Sequence, residues 1–120
     1  MVTCKALIEY LPNEIEAQAI TIDLSHNIER FGVLLNALED RLIRTIVIND
    51  ESNNTYIRLQ LGNAGIYISE THELKMPLEQ VSLLKSMICN AVIGNSFHGY
   101  HLDLDISSNN NTIELCIVLL

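Results

Sequence analysis

Nitrogen and oxygen donors cluster once in this chain, in Phe97-His98-Gly99-Tyr100-His101-Leu102-Asp103-Leu104-Asp105. On a strand, side chains alternate between faces, so His101, Asp103 and Asp105 share one face with His98 nearby. Such a row could hold Zn²⁺ or a harder transition ion, and the chain would then be a metal-dependent hydrolase using His98, His101, Asp103 and Asp105. The spacing matches no standard metal site, however. The plainer expectation is the solvated face of a hairpin, with one histidine tuned by neighbouring carboxylates.

Other chemical signals are weaker. Gly94-Asn95-Ser96-Phe97-His98-Gly99 misses the GxSxG nucleophile elbow, because its second glycine comes one place late and a helix precedes it. Gly62-Asn63-Ala64-Gly65 has no Lys and leads into a strand, so it is no phosphate loop. Glu39 and Asp40 are adjacent on a helix and diverge. Cys4, Cys89 and Cys116 are widely spaced without a CxxC pair, and are read as three buried small hydrophobes. The expectation is a non-enzymatic protein with no catalytic residue, metal or cofactor.

Charge is more informative. Eight of the fifteen acidic residues lie in two segments that lack Lys and Arg. Residues 6–29 carry Glu9, Glu14, Glu16, Asp23 and Glu29, and residues 86–120 carry Asp103, Asp105 and Glu114. The stretch 30–85 is nearly neutral, so the formal charge of −8 sits toward the two ends. A surface of one sign steers partners of the other sign. Nucleic acid is excluded as a partner, since its phosphates require Lys and Arg and only seven scattered basic residues are present.

The elements that must position these residues follow from apolar spacing. The length of 120 residues with 48% apolar content gives one domain, 1–120, able to bury a core without staples. No apolar run reaches the roughly 20 residues that span a bilayer, and the N-terminus lacks the pattern of a signal peptide, so a cytoplasmic protein is expected. Cys4, Ala6, Ile8 and Tyr10 share one side of a strand over 3–10. A second strand is expected over 15–23. Ile28, Phe31, Leu35, Leu38 and Leu42 predict an amphipathic helix over 26–43 with Ser25 as its N-cap. Gly32 within it implies a close packing contact. Thr45-Ile46-Val47-Ile48 predicts a strand. Residues 57–61 and 66–68 predict a hairpin turning at Gly62–Gly65, with 72–77 as a loop. A second helix starts at Pro77 and ends at Gly94. A final hairpin pairs residues 100–106 with 113–119, and its last strand is apolar on both faces, hence central or covered. The order is ββ-α-βββ-α-ββ, and the fold class is α+β: a mostly antiparallel sheet with two amphipathic helices on one side. No repeat, linker or boundary is evident.

In size, charge and compartment the chain resembles the small acidic immunity proteins of bacterial toxin–immunity pairs, including those of contact-dependent inhibition. That resemblance implies tight binding to one cognate basic toxin domain, with occlusion of its active site. The residues expected to carry it are Asp103 and Asp105, then Glu114, Glu14 and Glu16, with Tyr56, Tyr67 and Tyr100 as anchors. Residues 26–120 are also similar to type III secretion chaperones, through the order α-βββ-α-ββ and the stretches 83–91 and 99–105. That second resemblance implies a homodimer that binds an extended effector segment.

Overall fold

The structure is a computed structural model that describes residues 2–11, 19–94, 101–108 and 111–119. Three strands open the chain: β1 (Thr3–Lys5), β2 (Leu7–Leu11) and β3 (Ala19–Asp23). Helix α1 (Ile28–Glu39) follows, then β4 (Ile46–Asp50), β5 (Thr55–Leu61), β6 (Ile66–Ile68) and β7 (Glu73–Met76). Helix α2 (Leu78–Gly94) leads into β8 (His101–Ser108) and β9 (Asn111–Val118). The nine strands form one sheet in the order β1-β4-β5-β7-β6-β8-β9-β3-β2.

The two ends of that order are consecutive pieces of chain. β1 pairs with β4, β2 pairs with β3, and Ala6 alone separates them. The sheet therefore curls into a nearly closed barrel. At the seam, Ala6 N donates to Asn49 O at 3.0 Å. Ile8 N donates to the Asp50 carboxylate at 2.9 Å, so a side chain supplies the acceptor there. Asp50 is 1% exposed and also receives Ser52 Oγ at 2.7 Å and Asn53 Nδ2 at 2.8 Å. These donors, led by the Ile8 amide, hold its carboxyl down at about 2.

The mostly antiparallel expectation is overturned. Four neighbouring pairs are antiparallel and four are parallel, in strict alternation around the sheet. The antiparallel pairs are β2–β3, β4–β5, β6–β7 and β8–β9, each local in sequence. Parallel pairings join them, and those depend on long-range packing that no turn announces. The element order is likewise βββ-α-ββββ-α-ββ. The region expected as a loop at 72–77 contains β7, where Leu74 and Met76 point inward and alternate with Glu73 and Lys75. β7 lies between β5 and β6, so the expected hairpin of 57–61 with 66–68 does not form. The glycines there have another purpose. A Cβ on Gly62 would sit 2.8 Å from Lys75 Cβ, and one on Gly65 would sit 2.8 Å from Ile106 Cγ2. Both mark close approach of neighbouring strands. The α-βββ-α-ββ order behind the chaperone similarity is replaced by one with four strands between the helices.

The topology contains a repeat that the sequence reading does not anticipate. Each of β2-β3-α1-β4-β5 and β6-β7-α2-β8-β9 is a ββαββ unit with the same internal pairings. The joints correspond as well, since β5 pairs with β7 as β9 pairs with β3. In register, Leu59–Leu74–Tyr67 matches Leu115–Ile20–Tyr10. The two matched tyrosines meet, with hydroxyls 3.1 Å apart.

The helices pack against each other, and Gly32 permits it: a Cβ there would lie 3.0 Å from Ile88 Cγ2. Phe31, Leu34, Leu35 and Leu38 of α1 join Val81, Leu84 and Ile88 of α2 in the core. Between the helices, Lys85 Nζ meets Glu39 at 2.5 Å and Asn36 Oδ1 at 2.9 Å. Helix α1 is shorter than expected at both ends. Its N-cap is Asn27, while Ser25 bonds back to Asp23. Arg41 takes φ 60 just after the C-cap, which turns Leu42 out to 76% exposure. Among the described residues no helix is long and apolar enough to cross a membrane.

Candidate interaction surface

The two acidic segments converge. Strands β2 and β3 come from the first, β8 and β9 from the second, and they lie side by side as β8-β9-β3-β2. Inward residues on these strands, including Ile8, Ile20, Ile22, Leu115 and Ile117, belong to the core. Alternation therefore sends the charges outward. Register sets them in rows. One row runs Asp103–Cys116–Thr21–Glu9, the next runs Asp105–Glu114–Ala19, and a third holds His101–Val118–Asp23.

Glu9, Asp103, Asp105 and Glu114 are exposed, and Asp23 is half-buried. None of the four strands carries Lys or Arg. Among the described residues none of these five acids forms an ion pair with Lys or Arg. Asp105 stands directly opposite Glu114 across the hairpin. Like charges so placed are roughly 5 Å apart at Cβ and destabilise the pairing. His101 supplies partial relief at one end, with Nε2 3.0 Å from Asp103 Oδ2. Asp103 also accepts a hydrogen bond from its cross-strand neighbour Cys116, whose thiol is raised to about 11, first by burial and then by that bond and the Asp103 charge.

Three expected site residues, Asp103, Asp105 and Glu114, are thus brought together. Glu14, Glu16, His98 and Tyr100 lie outside the described residues. Tyr67 is 6% exposed and buried against Tyr10, so it offers no surface anchor. Tyr56 is on β5, away from the acidic strands, with its ring stacked on His72 at 4.7 Å. Glu9 and Asp23 are additions. Their outward direction is legible from the strand alternation, but their place on the same face as Asp103 and Glu114 rests on the parallel β3–β9 pairing.

Among the described residues no three His, Cys, Asp or Glu side chains gather as metal ligands. The cysteines are free and differ in setting: Cys4 is buried as expected and its thiol raised by burial, whereas Cys116 is half-buried and Cys89 exposed, against the expectation of burial. Compared with known protein families, curated proteins and solved structures, the chain gives no match.

Proposed function

We propose that this protein is a non-enzymatic binding module that docks one cognate basic protein on the outer face of β8-β9-β3-β2 and neutralises it. In its specific form, the reading is that of an immunity-like inhibitor in the cytoplasm whose acidic face covers the active site of a toxin domain. The observation that supports it most is the Asp105–Glu114 rung, with Asp103 beside it, Glu9 further across the same face, and no Lys or Arg on the four strands. A sheet that stacks carboxylates this way loses stability on its own. A partner's Lys and Arg side chains would relieve that cost on binding and gain charge-assisted hydrogen bonds. Steering by such a face raises association rates, and the gain falls as salt screens it over about 8–10 Å.

The test is a pull-down from the native host at low and at high salt, with mass spectrometry of what is retained. One stoichiometric basic protein, held at low salt and lost on Asp103→Lys with Asp105→Lys, is the expected result. Retention of the same protein by that double variant with unchanged association kinetics would remove the acidic face from the reading.

A further inference from the structure

Away from the acidic strands, the outer face of β1-β4-β5 forms a cleft of about 510 Å³ lined by Thr3, Thr45, Val47, Asn49, Tyr56 and Arg58. Thr3, Val47 and Arg58 are successive partners across the three strands. Two strand spacings thus separate Thr3 from Arg58, roughly 10 Å. Arg30 of α1 ties down the edge strand of the cleft, donating its Nε to Thr3 O at 2.9 Å. Among the described residues Arg58 forms no ion pair, although Glu73 is its register neighbour on β7.

Arg58 is held in place by what lies beneath it. Its guanidinium sits 5.8 Å above the Tyr56 ring. Tyr56 is backed by the His72 ring, stacked at 4.7 Å and 28°. His72 in turn adopts φ 57 and accepts the Arg58 amide on its carbonyl at 2.7 Å. A guanidinium resting on an aromatic face keeps its N–H edge free for a planar or tetrahedral anion, with little side-chain entropy left to lose. Val47 and the edge of Tyr56 give the cleft an apolar floor, and Thr3, Thr45 and Asn49 give it a polar rim.

We infer that this cleft binds a small amphiphilic anion, a phosphate or carboxylate carried on an apolar body. The anionic group pairs with Arg58, and the body lies on Val47 and Tyr56. The site is independent of the acidic face.

An NMR titration of the intact chain with phenyl phosphate, benzoate and inorganic phosphate tests it. Saturable shifts at the amides of Val47, Asn49, Tyr56 and Arg58 are expected with at least one of the aromatic anions, more tightly than with inorganic phosphate. Preference between the two aromatic anions assigns the anionic group. Arg58→Gln should weaken binding at least about tenfold while the spectrum stays dispersed. Asp105→Asn should leave it unchanged. No saturable shift at millimolar ligand, or equal affinity in Arg58→Gln, overturns the proposal. Equal binding of inorganic phosphate overturns the apolar part of it.

Discussion

In β4–β5, Val47 stands opposite Arg58; the matching rung of β8–β9 holds Asp105 opposite Glu114. One rung inward, Ile48–Ile57 matches Ile106–Ile113, and Ile46–Leu59 matches Leu104–Leu115. The sheet halves β4-β5-β7-β6 and β8-β9-β3-β2 thus share an aliphatic interior and differ in outward charge. An interior rung must fill space against the helices, so its choices are few. An outward rung is under no such demand, and its content reports what the surface meets. A hydrogen bond from Gln60 Nε2 to Thr45 Oγ1 at 3.1 Å is an uncharged tie on the first half, whereas the second half sets Asp103 beside Cys116.

The largest expected effects test the shared interior. Leu59→Ala and Leu115→Ala remove matched side chains that are 1% and 0% exposed. Each should cost about 2–5 kcal/mol in denaturant unfolding. Costs that differ by more than that range would mean the halves are not packed alike. The next effect separates the outer faces. Asp103→Lys with Asp105→Lys should slow association with the proposed basic partner about ten- to a hundredfold at low salt in stopped-flow measurements. Arg58→Glu should change it little, and an equal slowing by both variants would erase the distinction between the halves.

Acid separates the hairpin ends. Asp50 occupies the rung that Ser108 occupies in the second half. Its carboxyl is held at about 2, chiefly by the Ile8 amide. A depressed carboxylate stabilises the fold above its unfolded pKa of about 4, and that contribution is lost as pH falls through the folded value near 2. Asp50→Asn should therefore flatten the stability profile between about pH 4 and 2, read by chemical denaturation at a series of pH values. The smallest effect comes from relieving repulsion. Glu114→Gln should stabilise the free protein by about 0.2–1 kcal/mol, and the gain should shrink in high salt. A loss of stability would mean that the Asp105–Glu114 rung is satisfied within the chain.

Much of the interior was legible. Cys4, Ala6 and Ile8 are inward as the alternation requires, both helices form, and β9 is a central strand between β8 and β3. The acidic residues of the final hairpin were legible too. What escaped was the joining of hairpins. Glu73-Leu74-Lys75-Met76 alternates over only four residues before Pro77, which is short for a strand signal. Parallel joints leave no turn in the sequence, so the placing of Glu9 and Asp23 on the same face as Glu114 was not readable locally. One trace of the duplication was available: Ser52-Asn53-Asn54 precedes Ile57 and Leu59 as Ser108-Asn109-Asn110 precedes Ile113 and Leu115. It is short and made only of Ser and Asn, which are common in turns for their own reasons.

The seam at Ala6 has a kinetic consequence. Strands β1 to β3 leave the ribosome first, yet β1 pairs with β4 and β3 pairs with β9, almost at the opposite end of the chain. During synthesis those early strands wait with unpaired edges while β4 to β7 and α2 form. Contacts so distant along the chain place folding in the slow range of small domains, milliseconds to seconds. They also make the waiting hairpin β2–β3 the segment most exposed to edge-to-edge aggregation, and its outward Glu9 and Asp23 are the charges that oppose a wrong strand there.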